Sequence, residues 1–182
     1  MSTAFSPVQL RASLWAHENG RVHAVIDGLV VPGIAEKLQV ADVAGWDCLQ
    51  RGALTAGAAQ RAAYLAELKP ASPFTDWLLE EATPAFPGWG VLTVSGCALL
   101  QIREHCRSIG EVITPDGERR AWRWHDPDVL RTVLPTLLAG QLDELFTGVQ
   151  AFVIAEPQAW TWLAMEKGLL STDRRPLMPA SR

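Results

Sequence analysis

Hydrophobic residues in this chain form several short, nearly unbroken runs, a pattern typical of strands that are covered on both faces. The run at 22–26 predicts a central strand, and Asp27-Gly28 interrupts the apolar residues at its end. The run at 89–94 predicts a second buried strand, 149–155 predicts a last strand, and 46–49 has a weaker pattern of a strand or turn. These runs indicate a sheet that lies inside the protein.

Other segments have the three- and four-residue spacing of amphipathic helices. Thr55 is placed to cap an alanine-rich helix, Thr75 or Asp76 a shorter one, and Ser95 a third. The third helix has an apolar stripe that consists of Leu99, Ile102, Cys106 and Ile109. The pattern predicts helices at 34–38, 56–68, 77–79, 97–109, 138–146 and 160–170, before a frayed tail at 171–182.

The run 118–134 predicts a strand that leads directly into a helix. Trp122 and Trp124 are two residues apart, so both rings would project from one face of an extended segment. Asp126 is placed to cap the helix, and Pro127 fits its first position because that N–H has no helical partner.

The chain has 182 residues, enough for one domain with its own core. Pro115-Asp116-Gly117 adds a predicted β-hairpin. Together these elements predict an α/β (α+β) fold, with helices packed on a mixed sheet of about five to six strands in a single domain. We divide the chain into an N-terminal extension at 1–20, a domain at 21–156, and a short C-terminal helix and tail at 157–182.

Composition and charge narrow the possible partners. The net charge of −4 comes with no basic stripe, which argues against nucleic acid as a partner. The first residues lack a signal-peptide pattern, and no run reaches the ~18 apolar residues of a membrane span, so we expect a cytoplasmic protein with no membrane partner. Three cysteines without paired spacing favour a reducing compartment.

A few residues invite a catalytic interpretation. His105-Cys106 and His125-Asp126 contain the residue types of a Cys-His-Asp nucleophile site. Because Cys106 falls on the apolar stripe and Asp126 in the helix cap, we favour structural roles and keep a cysteine-dependent hydrolase as an alternative. The four histidines and three cysteines show no metal-ligand spacing, and Gly88-Trp89-Gly90 precedes a strand instead of following one. We expect no metal and no cofactor.

Arg107 and Arg123 lie beside residues that we expect to be buried. A partly buried guanidinium needs an anionic or carbonyl partner, which Asp126 or Asp27 could supply. Two interpretations remain open for these arginines, an internal ion pair and direct contact with a bound peptide.

The segment 122–130 reads Trp-Arg-Trp-His-Asp-Pro-Asp-Val-Leu and includes Leu130. It resembles the type VI secretion effector chaperones, also called adaptors, whose pattern is aromatic-Arg-aromatic-aromatic-Asp-Pro-Arg-Val-Leu. Downstream, the family's Gln-Leu and Phe-Gly-Pro-Val series is similar to Gln141-Leu142, Phe146 and Gly148-Val149. The resemblance extends over residues 22–156, and its upstream matches are Asp27, Tyr64-Leu65, Trp89-Gly90, His105 and Arg107.

The chain departs from the family pattern at four positions. Asp128 replaces the usual Arg, and this reversed charge argues against a cargo contact there. The other departures are Ala63 for Pro, His125 for an aromatic residue and Cys106 for Leu.

The resemblance implies a non-enzymatic protein of a Gram-negative bacterium. It would bind a cognate toxic effector in the cytoplasm and help to load the effector onto the VgrG spike protein. An immunity protein that neutralises a toxin is a further alternative. A chaperone needs exposed apolar anchors for its cargo, and the chain has eight tryptophans against one tyrosine. Our candidate anchors lie near the ends of predicted elements and are Trp77, Trp89, Trp160 and Trp162.

Overall fold

Strand β1 (Arg21–Asp27) lies inside a seven-stranded sheet. The computed structural model describes residues 4–178 apart from residues 18, 114 and 115. The other strands of this sheet are β2 (Gly45–Cys48), β3 (Ala63–Leu68), β4 (Gly90–Ser95), β7 (Val149–Ala155), β8 (Ala159–Glu166) and β9 (Leu169–Pro176). Their order is β2-β3-β1-β4-β7-β8-β9, and every neighbouring pair is antiparallel.

The α/β fold class is confirmed, although two details of the predicted sheet are wrong. The sheet has seven strands where about five to six were predicted, and its pairing is antiparallel instead of mixed. A separate hairpin pairs β5 (Glu111–Ile113) with β6 (Arg119–Ala121), as predicted from the turn signal between them. Pro115 of that signal lies outside the described residues.

The helices cover both faces of the sheet. In chain order they are α1 (Pro7–Leu14), α2 (Ile34–Gln39), α3 (Ala56–Ala59), α4 (Pro73–Asp76), α5 (Thr83–Ala85), α6 (Leu99–Ile109), α7 (Pro127–Val133) and α8 (Ala139–Leu145). A π-helical segment, Trp77–Ala82, joins α4 to α5, and a 3-10 turn, Leu134–Thr136, follows α7. None of the described helices is long and apolar enough to cross a membrane.

Two hydrophobic cores lie on opposite faces of the sheet. Alternate residues of β1 divide between them: Val22, Ala24 and Ile26 join one core and Val25 the other. The first core also takes residues from α1, α2 and the π-helical segment, and the second takes the inner faces of α6, α7 and α8. Burial on both faces explains why β1 reads as one continuous apolar run.

The helix predicted at 56–68 is wrong beyond its first turn. Thr55 caps α3 as predicted, by accepting a hydrogen bond from the Ala58 N–H, but α3 ends at Ala59. Residues 63–68 form β3, which pairs with β1 on one side and β2 on the other. Their alanine, leucine and glutamate favour a helix in isolation, but pairing with two strands overrides this local preference.

The C-terminal helix predicted at 160–170 is also wrong. This region forms β8 and β9, which meet at a two-residue turn with Lys167 at φ 52° and Gly168 at φ 78°. Both angles are positive, as in the hairpin turns that match strand twist. The predicted tail is strand up to Pro176, and residues 179–182 lie outside the described residues.

The described residues before β1 pack against the sheet. Ser6 caps α1, which buries Leu10 and Leu14 completely in the first core. Phe5 bridges to the end of β9, since its N–H donates to the Pro176 carbonyl at 2.8 Å. The described part of this region therefore belongs to the same domain as the sheet.

Two predicted caps lie elsewhere. Ser72, not Thr75 or Asp76, caps α4 by accepting a hydrogen bond from the Thr75 N–H. Ser95 accepts the Cys97 N–H at 3.0 Å, but α6 begins later, at Leu99.

Candidate functional site

The run 118–134 leads into helix α7, as predicted. The Asp126 side chain accepts hydrogen bonds from the Asp128 N–H at 3.0 Å and the Val129 N–H at 3.5 Å. Pro127 occupies the first turn, and Leu130 is fully buried in the second core. The helix start is therefore built by local capping and fixed by burial.

The predicted strand ends before the two tryptophans of this run. β6 stops at Ala121, so neither ring stands on a strand. Trp124 is 2% exposed and packs edge-on against Phe152 with ring centroids 5.8 Å apart. Trp122 is partly buried, and its indole N–H donates to the Ile109 carbonyl at the end of α6. Both rings therefore attach the run to the second core.

Asp27 forms a buried polar centre at the end of β1. Its side chain is 3% exposed, with one carboxylate oxygen 2.5 Å from Arg123 Nη2 and 3.3 Å from His125 Nε2. The other oxygen accepts the Leu29 N–H at 2.8 Å. Burial alone would raise the pKa of Asp27, but the hydrogen bonds from His125 and Leu29 and the charge of Arg123 outweigh it. The net pKa of Asp27 is therefore lowered, and the carboxylate is held in its charged form.

Both arginines predicted to need partners have them. Arg123 pairs with Asp27 and lies 3.6 Å from Asp126, which confirms an internal ion pair. Arg107 donates to the carbonyl oxygens of Cys48 at 2.7 Å and Leu49 at 3.1 Å, so it ties α6 to the end of β2. These contacts give both guanidinium groups structural roles, while 48% of the Arg123 side chain stays exposed.

A cleft of about 470 Å³ opens where these elements meet. Its wall on one side is the segment from Ala121 to His125, and the end of α6 forms the wall beside it. The other lining residues come from the segments that follow β1, follow β2 and precede β3. Its charged lining residues are Asp27, Arg51, Arg61, Arg107, Glu111 and Arg123.

The cysteine and histidines do not form a nucleophile site. Cys106 is 2% exposed, and burial raises the pKa of its thiol to about 12. His105 Nε2 lies 2.8 Å from the Leu145 carbonyl, and His125 Nε2 faces Asp27, so each histidine is bonded elsewhere. Among the described residues, no cluster of His, Cys, Asp and Glu could hold a metal ion. Cys106 therefore acts as the small apolar residue that its stripe position predicts.

Three of the four tryptophans proposed as anchors are not exposed. Trp89, Trp160 and Trp162 are between 1% and 8% exposed and belong to the first core. Trp77 is partly buried, with Lys37 Nζ 4.0 Å from its ring centroid. The prediction of exposed anchors is therefore wrong for three positions. For Trp160 and Trp162 it failed because the region expected to be a helix is instead strand β8, and Trp89 packs in the first core just before β4.

The remaining motif residues have packing or turn roles. The Tyr64 hydroxyl donates to the Ala59 carbonyl at 2.8 Å, and Leu65 is fully buried. A Cβ atom at Gly90 would lie 1.8 Å from the Val25 carbonyl oxygen, so only glycine fits there. At the other end of the series, the Gln141 side chain accepts the Leu138 N–H, Phe146 is buried, and Gly148 has φ 72°.

Arg51 and Arg61 were missed from the sequence. Both are exposed and lie in loops that line the cleft. No spacing or motif marks them, because each lies in a short irregular segment between elements. The antiparallel order of β2, β3 and β1 brings them to the cleft that Arg123 also lines.

Comparison with protein-family models identifies one match. A family described as Domain of unknown function (DUF4123) matches residues 22–144, a range that includes every residue lining the cleft and ends within α8. Neither curated proteins nor solved structures gave a match. Since the matched range covers more than half of the chain, the protein belongs to the DUF4123 family of unknown function.

Proposed function

We propose that this protein is a type VI secretion chaperone, or adaptor. It binds a cognate toxic effector in the cytoplasm and helps to load it onto the VgrG spike protein. One observation carries this proposal. The Trp-Arg-Trp-His-Asp-Pro run, which resembles that of the effector chaperones, lies inside the family match, and its residues from Trp122 to His125 line the cleft described above.

The surface around the run is suited to holding a segment of another protein. The cleft combines charged side chains with apolar ones, and Leu29 at its edge is 54% exposed. Pockets that bind ligands typically have volumes of about 300–1,000 Å³ and mix apolar walls with a few polar groups. A short cargo segment, rather than a folded domain, fits a cleft of about 470 Å³.

The cysteine-hydrolase alternative loses its nucleophile in this arrangement. A catalytic cysteine works as a thiolate with a nearby base, and Cys106 has a raised pKa and a buried thiol. Binding therefore accounts for the features of the site better than cysteine catalysis does.

The direct test is co-expression with a candidate effector, taken as the product of a toxin gene beside the gene for this chain. With a tag on this protein, we expect the effector to co-purify through its non-catalytic region. The catalytic fragment of the toxin should not co-purify alone. If only that fragment binds, and if the protein protects cells that express it, the protein is an immunity protein and the chaperone proposal fails.

Export provides a second test in a host with an active type VI system. Deletion of the gene for this chain should abolish secretion of the cognate effector and leave secretion of the spike protein and of unrelated effectors intact. Restoring the gene should restore export. Unchanged secretion of every effector after deletion would contradict the proposal.

A further inference from the structure

We propose that the cleft binds an acidic peptide segment, with Arg51 and Arg61 contacting its carboxylates. The statement that this segment belongs to the effector rests on the proposed function. The carboxylate preference rests on the cleft alone.

The charges of the cleft are unbalanced. Four arginines and two acidic residues line it, in a chain whose net charge is −4. Asp27 is already paired with Arg123 and hydrogen-bonded to His125, so it does not neutralise the other arginines. Among the residues that line the cleft, arginines therefore outnumber carboxylates by four to two.

The four arginines fall into two groups. Arg107 donates to the carbonyls of Cys48 and Leu49, and Arg123 pairs with Asp27, as described above. Among the described residues, Arg61 makes one side-chain hydrogen bond, from its Nε to the Gly57 carbonyl at 3.1 Å. Within the part of the chain that the structure describes, no carboxylate lies within ion-pair distance of Arg61.

Arg51 is held only weakly. It lies 3.4 Å from Glu104, and the two side chains are 69% and 51% exposed. Exposed pairs of this kind contribute about 0–1 kcal/mol, so a ligand carboxylate can replace Glu104 at little cost. Arg51 and Arg61 thus provide two guanidinium groups, and each can bind a carboxylate in a bidentate fashion.

The apolar part of the lining favours a peptide over a polyanion such as nucleic acid. Leu29, Leu49 and Trp122 lie among the arginines and give room for an aliphatic side chain next to each acidic one. A phosphate backbone carries no aliphatic side chains to place against these apolar surfaces, so an acidic peptide fits the lining better. Acidic motifs in proteins are commonly recognised by arginine clusters.

The proposal can be tested with a labelled six-residue probe peptide of alternating glutamate and leucine, by fluorescence anisotropy. We expect the wild-type protein to bind it about tenfold or more tightly than the matched glutamine-leucine peptide, because charge-assisted hydrogen bonds are lost with glutamine. Binding should weaken as salt is raised. Equal binding of the two peptides, or tighter binding of a labelled oligothymidylate than of the acidic peptide, would overturn the proposal.

Charge reversal locates the contact. The double variant Arg51→Glu/Arg61→Glu should weaken binding of the acidic peptide about tenfold or more. The control Lys167→Glu/Arg174→Glu makes the same change in net charge at exposed positions of the β8–β9 hairpin and should bind as the wild type does. Circular dichroism should show both variants folded. If the two double variants bind alike, the cleft is not the site.

The same variants separate this inference from the proposed function. If the effector co-purifies with the wild type and with the control variant but not with the cleft variant, the result supports both the chaperone function and the cleft assignment. An effector that co-purifies equally with the wild type and the cleft variant overturns the cleft assignment and leaves the chaperone function standing. If the acidic peptide binds in the cleft but no effector co-purifies with the wild type, the chaperone function fails and the cleft assignment stands.

Discussion

The Asp27 carboxylate and the Arg123 guanidinium lie 2.5 Å apart, although 96 positions separate the two residues in the chain. Asp27 ends a central strand and Arg123 precedes the cap of α7. The pair therefore fixes the run 118–134 against the sheet. It also holds one wall of the cleft in position, so the geometry of the site depends on a buried charge that need not touch a ligand.

Removal of this charge should destabilise the protein. We expect Asp27→Ala to lower the free energy of unfolding by about 2 kcal/mol, because Arg123, His125 and the Leu29 N–H lose their shared acceptor. Urea denaturation measures the change. Asp173→Ala is the control, since Asp173 is 55% exposed in its pair with Arg175 and its removal should cost no more than about 0.5 kcal/mol. Equal losses in the two variants would contradict a special role for Asp27.

The helix cap provides a second stability test. Asp126→Ala should lower the free energy of unfolding by ~1 kcal/mol, because two N–H groups at the start of α7 lose their acceptor. Asp128→Ala, at a side chain that is 91% exposed, should have a smaller effect. An Asp126→Ala protein that is fully stable yet unable to bind effector would assign this run to cargo contact instead of architecture.

His23 should make stability depend on pH. It is fully buried in β1, neither ring nitrogen has a hydrogen-bond partner among the described residues, and burial and the charge of Arg21 lower its pKa to about 4. The unfolded chain therefore takes up a proton at a higher pH than the folded chain does. Stability should fall by about 2 kcal/mol from about pH 7 to about pH 5 through this group.

The contribution of His23 can be isolated by substitution. His23→Leu should show a weaker loss of stability over that pH interval in urea denaturation. His17→Leu, at an exposed histidine, should keep the wild-type dependence. Identical pH profiles for His23→Leu and the wild type would refute the assignment.

Thiol reactivity tests the burial of Cys106. In the double variant Cys48→Ser/Cys97→Ser, only Cys106 remains, and we expect an aromatic disulfide reagent to modify it slowly in the folded protein. Addition of urea should make the reaction fast, because unfolding exposes the thiol. A fast reaction in the folded protein would revive the cysteine-hydrolase alternative.

Elements whose hydrophobic pattern and capping residues indicate the same structure could be predicted from the sequence. β1 and β4 are buried on both faces and read as continuous apolar runs, while α6 has a clear stripe. Asp126-Pro127 is a strong helix start because both residues suit their positions without help from the rest of the fold.

The strands β3, β8 and β9 could not be predicted in the same way. Residues 63–68 consist largely of helix-favouring types, and only pairing with β1 and β2 makes them a strand. The alternation of Trp160 and Trp162 with smaller residues was a strand signal, and Lys167-Gly168 was a turn signal. The helix predicted at 160–170 is inconsistent with both signals. This error placed Trp160 and Trp162 at the predicted surface, although both belong to the first core.

The cleft was predictable only in part. Arg107 and Arg123 were identified because they sit beside apolar residues in a recognisable run. Arg51 and Arg61 come from loops with no pattern, and their position follows from strand order, which is a long-range property of the folded chain.

The bridge at Phe5 has a consequence for local unfolding. Its N–H donates to the Pro176 carbonyl and its carbonyl accepts the Met178 N–H, so the residues before α1 are hydrogen-bonded to the end of β9. Neither strand segment can detach without exposing the backbone groups of the other. Opening of this edge of the sheet is therefore cooperative, with regions from the two ends of the sequence exchanging with solvent as one unit.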